Sequence, residues 1–310
     1  MTAVGRARIP SPHRIAAPPD FDFTLTVESH GWFDLPPFRY DRATRSLEFA
    51  FVAGTTAVAV RVRGTPEALE VVAWPARSTA HAARVVSNML RLDENLSDLH
   101  AKLAGDDSLR WAADRKAGRL LRCATAFEDS VKYLCTTNCS WALTRKMVEA
   151  LVRELGTLAP LGFRTFPTPE AIASRSVAFL RERIRCGYRA PFLHEFAGRV
   201  ATGNVDPESW RTWTGDASSL RAAILELKGF GPYSAENLLK LCGHYEYLGI
   251  DSWCRATFSK EKRLRRAPSD SRLRRHYARF GKWKGLAMWL DLTHHWHEPG
   301  AAPAWSGKSS

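Results

Sequence analysis

The chain of 310 residues contains no Cys-x-x-Cys pair; its six cysteines, Cys123, Cys135, Cys139, Cys186, Cys242 and Cys254, fall singly along it. That spacing argues against zinc knuckles, an iron–sulfur cluster and a disulfide framework. Cys135 and Cys139 lie one helical turn apart and could reach one metal, but packing is the expected role. Free thiols suit a reducing cytoplasm, or the nucleoid if the source is bacterial. His294, His295 and His297 around Trp296 are expected in a solvated helix end or tail rather than in a metal tract. No apolar run is long enough to span a bilayer and no basic amphipathic anchor is present, so no membrane partner is expected. Acidic residues are comparatively scarce: 32 Asp and Glu stand against 45 Lys and Arg, a net charge of +13. A positive field of that size favours a polyanion, of which nucleic acid is the commonest, although genome composition can also enrich arginine.

Nor does a Gly/Ser linker divide the chain, so its parts are expected to pack together. Residues 1–20, with Pro10, Pro12, Pro18 and Pro19, are expected to form a flexible lead-in. Apolar alternation predicts strands over 21–27, 46–51, 58–63 and 69–74. After about Thr79 the period becomes helical. The fold class is thus α+β, an antiparallel β-sheet lobe with helices over 21–112 packed on a mostly helical core over 113–297, followed by a tail over 298–310. Helices are predicted over Phe127–Cys135 and Met147–Leu155, with a break at Thr136–Ser140. Asp216 is placed to cap one further helix, and Pro232 to open the next at its first turn.

The informative segment is Leu227-Lys-Gly-Phe-Gly-Pro-Tyr-Ser-Ala-Glu-Asn237. Here two helices, over about 217–243, are joined by a turn in which Gly229 and Gly231 flank Phe230. Glycines let the backbone approach another surface closely, and the following helix N-terminus offers free N–H groups and a positive dipole end. Such a hairpin can seat one phosphate without reading sequence; a plain helical corner is the alternative. Further on, in Leu248-Gly-Ile-Asp-Ser-Trp-Cys-Arg255, Asp251 heads a new helix as an N-cap while its carboxylate remains close to the hairpin.

The hairpin followed by this aspartate resembles the signature of the helix-hairpin-helix/GPD superfamily of DNA glycosylases. Gly118-Arg-Leu-Leu-Arg-Cys-Ala-Thr-Ala-Phe-Glu128 with Tyr133-Leu-Cys-Thr-Thr-Asn138 looks like the segment opening the helical core of the 8-oxoguanine and 3-methyladenine enzymes. Phe166-Pro-Thr-Pro-Glu170, Cys186-Gly-Tyr-Arg-Ala190 and Tyr277-Ala-Arg-Phe-Gly-Lys-Trp-Lys-Gly-Leu-Ala287 extend the likeness over residues 20–297. The resemblance implies a base-excision repair enzyme that flips a damaged base from duplex DNA and acts as a monomer. It assigns Asp251 as the catalytic carboxylate. Bifunctional members carry a lysine two residues after the second glycine, where this chain has Tyr233, and a phenol cannot form their Schiff base. Lys228, just before Gly229, does not occupy that place. A monofunctional hydrolase acting on an alkylated base is therefore expected. An 8-oxoguanine-type glycosylase with lyase activity and a non-catalytic DNA-binding module remain as alternatives.

Breaking an N-glycosidic bond builds oxocarbenium character on the sugar, which Asp251 would stabilise while positioning water. Cationic alkylated bases leave readily. No cofactor is implied beyond a monovalent cation at the hairpin. Asn138 matches the intercalating position of the 8-oxoguanine branch, with a turn residue as the alternative. Arg255, Arg265 and Arg266 are candidate phosphate contacts, or else a solvated face. Stacking on a flipped base asks for aromatic walls, for which Trp213, Tyr233 and Trp253 are the candidates.

Overall fold

A computed structural model describes residues 10–65 and 68–298. The parts of the expected lead-in over 1–9 and of the expected tail over 299–310 lie outside the described residues. The N-terminal part holds β1 (His13–Ala16), α1 (Phe23–Val27), β2 (Arg39–Asp41), β3 (Ser46–Ala53), β4 (Thr56–Gly64) and β5 (Ala68–Trp74). The strands form one antiparallel sheet in the order β1-β5-β4-β3-β2. Phe49 pairs with Val60 and Val62 with Val71, so the alternating apolar residues of three strands fall on one buried face. On the other face Ala50 and Ala59 pack against Ala159 and Phe163 of a turn from the helical part.

Two expectations are corrected here. His13–Ala16, read as lead-in, forms the edge strand β1, because β5 offers it an unpaired backbone edge. The alternating run from Phe21 to Val27 is not a strand; Asp22 caps it, accepting from Leu25 N at 2.7 Å, and Phe23–Val27 is helical. Phe23, Thr26 and Val27 satisfy helical spacing as well as Phe23, Leu25 and Val27 satisfy strand spacing, and all four are buried. In so short a run the cap decides.

The helical part comprises α2 (Thr79–Met89), α3 (Ser97–Ala104), α4 (Arg110–Asp114), α5 (Ala126–Thr136), α6 (Trp141–Leu155), α7 (Pro169–Ala173), α8 (Val177–Glu182), α9 (Ala190–Ala201), α10 (Ala217–Leu225), α11 (Pro232–Cys242), α12 (Ser252–Glu261), α13 (Asp270–Tyr277) and α14 (Lys284–Thr293). Side-chain caps fix several starts: Thr125 accepts from Glu128 N, Ser140 from Leu143 N and Asp216 from Ser218 N. One apolar core runs from Phe23 of the sheet lobe to Leu292 of α14, so the two parts share an interior. The His294–His297 stretch is only in part the solvated end expected. It forms a 3-10 turn whose Trp296 is buried against Trp253 and Trp289, while His297 stacks on Trp111. Trp296 and His297 gain more by packing their rings on Trp253, Trp289 and Trp111 than by hydration, while His295 stays exposed.

The crossing from sheet to helices is tied down by three long-range bonds. His30 Nε2 donates to Leu121 O at 2.7 Å, Trp32 Nε1 to Asp129 Oδ1 at 2.9 Å, and Trp289 Nε1 to Ser29 O at 2.8 Å. These bonds bring His30, Gly31 and Trp32 into the wall of a cavity built mainly by the helical part.

Candidate functional site

The α10–α11 hairpin turns at Gly229, whose φ is +90°. A Cβ there would stand 2.8 Å from Cβ of Phe192 and 2.9 Å from Leu134, so both conformation and packing require glycine. Phe230 points inward and packs edge-on against Phe196 with centroids 5.1 Å apart. Gly231 differs: its φ is −92°, and no heavy atom lies within 4 Å of a built Cβ. Nothing inside the protein explains that glycine. No side chain caps α11, so its first-turn N–H groups beside Gly231 lack a side-chain partner.

Asp251 is the N-cap of α12, and its Oδ1 accepts from Cys254 N at 2.7 Å. The cap and the expected reactive position are the same residue. Its carboxylate lies where two concavities meet. One is an open groove bordered by Asn138, Tyr188, Gly229, Gly231 and Arg255; the other is an open-mouthed cavity of about 180 Å³. Thr136, Cys139, Tyr233 and Asp251 line both.

The cavity is aromatic. Trp32, Tyr133, Trp141, Tyr233, Trp253 and Trp289 stand in its wall. Its polar groups are few. Burial pulls the His30 imidazole down to about 4, and its bond to a carbonyl fixes the proton on Nε2. Burial pushes the Tyr233 phenol up, and the neighbouring Asp251 carboxylate adds to that shift. Lys240, on α11, is buried and lines the same cavity; its Nζ donates to Asn237 Oδ1 at 3.0 Å and to Leu248 O at 2.5 Å. Burial pulls its ammonium down to about 8.

The structure brings Gly229, Gly231, Asn138, Tyr233, Asp251 and Arg255 together around the groove, with Tyr233 and Trp253 in the cavity wall. Asn138 is exposed, holds φ +46° and donates to Tyr188 Oη at 3.2 Å. Trp213 is not in the wall. Its indole folds over Gly215 and donates to Asp216 O at 3.2 Å, a local turn that leaves it 39% exposed. Arg255 pairs with Asp270 at 2.9 Å, whereas Arg265 and Arg266 are exposed on the turn between α12 and α13. Lys228 pairs with Glu195 at 3.0 Å in the exposed zone. Trp32, Trp141 and Trp289 escaped sequence reasoning because they are distant in the chain. Lys240 did carry a signal: with Tyr233 and Asn237 it falls on one helix face, a lysine among buried positions. Among the described residues no group of three or more His, Cys, Asp or Glu is placed to hold a metal, and no helix is long and apolar enough to cross a membrane.

No family model and no curated protein matches the chain, but solved structures do. A 3-methyladenine DNA-glycosylase from Archaeoglobus fulgidus aligns at TM-score 0.73 and 23% identity, covering 91% of this chain and 97% of that one. MBOgg1 in complex with a low-affinity DNA ligand aligns at TM-score 0.73 and 20% identity, over 91% and 94%. The 8-oxoguanine glycosylase/lyase of Clostridium acetobutylicum, in complex with double-stranded DNA containing cytosine opposite 8-oxoG, aligns at TM-score 0.68 and 17% identity, over 89% and 91%. The chain shares the α+β fold of these solved structures.

Proposed function

We propose that the protein is a base-excision repair DNA glycosylase that hydrolyses the N-glycosidic bond of a damaged base flipped from duplex DNA. The observation that carries this reading is the position of Asp251, between a groove bordered by the hairpin and an aromatic cavity of base-holding size. A duplex whose phosphate sits at Gly231 would present a flipped nucleotide with its base in the cavity and its sugar beside that carboxylate. Asp251 would then offset the positive charge growing on the sugar and orient the attacking water. The reaction asks for no redox cofactor. An alkylated base is the substrate class that the sequence resemblance implies.

The same reading makes the enzyme monofunctional. Tyr233 stands where a Schiff-base lysine would be needed, and Lys228 is engaged with Glu195. The expected product is a free base and an intact abasic strand that breaks only on later alkali or heat. Asp251→Asn is expected to lower single-turnover base release by at least a hundredfold while duplex affinity changes less than threefold. Turnover within threefold of wild type would remove Asp251 from the chemistry. A lyase reading draws on one observation, the Lys240 amine in the same cavity; efficient strand cleavage with a borohydride-trapped adduct would establish it in place of the hydrolase.

A further inference from the structure

The charged groups of the cavity are unevenly matched to their partners. Asp251 is the one carboxylate and Lys240 the one lysine or arginine among the described residues of its wall. Asn237 cannot turn toward a ligand, because its Nδ2 donates to Tyr233 O at 2.8 Å while its Oδ1 accepts from Lys240. Glu236, the nearest other carboxylate on α11, accepts from Gly249 N at 2.8 Å and from Arg221. The Lys240 ammonium has three N–H donors and two acceptors, Asn237 Oδ1 and Leu248 O. Among the described residues its third N–H has no acceptor.

We propose that Lys240 makes the cavity selective for a neutral damaged base that carries a hydrogen-bond acceptor, a carbonyl oxygen or an unprotonated ring nitrogen, and excludes bases that carry a positive charge. A buried cation facing a cationic base repels it at close range with little water between, whereas an acceptor completes the ammonium's third bond. The inference rests on the glycosylase reading and narrows it: alkylated bases that stay neutral are admitted, along with oxidised or deaminated ones. Lys240 remains mostly protonated at neutral pH, since burial lowers it only to about 8.

The chemistry gives the same bond a second use. When the bond between C1′ and the base nitrogen breaks, its electron pair stays on the base, and a neutral base spreads that charge to its acceptor atoms. The hydrogen bond from Lys240 therefore strengthens as the bond breaks. Water oxygen bonds to C1′, and the proton it gives up is matched by the one the departing base takes up. Lys240 keeps its three hydrogens throughout.

The test compares duplexes carrying 7-methylguanine, which is cationic, with duplexes carrying hypoxanthine or 1,N6-ethenoadenine, which are neutral. Each single-turnover rate is divided by the uncatalysed loss from the same duplex. Wild type is expected to accelerate release of the neutral bases at least tenfold more than that of 7-methylguanine, and Lys240→Met to shrink that ratio at least tenfold. The wild-type ratio stands without any variant, so a Lys240→Met protein that fails to fold does not rescue the idea. Equal or greater acceleration of 7-methylguanine by wild type overturns the inference alone. So does an unchanged ratio in a folded Lys240→Met, or a borohydride adduct that this substitution abolishes. Release of no base from any duplex overturns the glycosylase reading and this inference with it.

Discussion

At the residue scale the cavity wall is sensitive to acid through one imidazole. His30 is buried with its titration held near 4, against about 6.5 for an exposed histidine. Between those values the unfolded chain binds a proton that the folded chain refuses, so stability falls as pH drops through the window from about 6.5 to 4. The loss from this group reaches about 3 kcal/mol at the acid end. His30→Gln keeps a donor for Leu121 O and removes the titration. Urea melts at pH 7 and pH 4.5 should show a smaller acid loss in the variant than in wild type. An identical loss would acquit His30; His297, also pulled down to about 4, supplies part of the wild-type drop in either case. The residues of this wall were unequally legible. Tyr233 and Trp253 follow from the hairpin and the aspartate because local chain geometry carries them there. Trp213 has the right chemistry but closes its own turn, and Trp32 enters through a crossing from the sheet lobe that no local pattern announces.

At the scale of elements, the two hairpin glycines should behave differently. Gly229→Ala forces a side chain into a positive φ and against Phe192 and Leu134. It should cost about 2–4 kcal/mol, read as a lower denaturation midpoint. Gly231→Ala meets open space at an ordinary φ, so its melting temperature should stay within a degree or two while duplex affinity falls at least tenfold by anisotropy. Undiminished binding by Gly231→Ala would mean that no phosphate approaches there. Elements with caps or sustained periodicity, such as α5, α6 and α11, and the alternating strands β3 to β5, could be read from sequence alone. β1 could not, because a short edge strand is specified by its neighbour's open edge rather than by its own residues. α1 was ambiguous because its buried residues fit both periods.

At the scale of the whole molecule, the charge of +13 is not evenly available. Arg255 is spent on Asp270 and Lys262 on Asp291, while Arg265 and Arg266 project from the turn beyond α12. If that turn lies along a phosphate backbone, Arg265→Glu with Arg266→Glu should reduce the slope of log affinity against log salt by about 2, since each lost contact retains roughly one counterion. An unchanged slope would make the turn a solvated face. The aromatic wall has a consequence of another kind. Four of the chain's eleven tryptophans, Trp32, Trp141, Trp253 and Trp289, line one cavity. More than a third of the chain's indoles therefore stand within reach of whatever the cavity holds, and the protein carries its own optical gauge of occupancy, with no dye or labelled strand required.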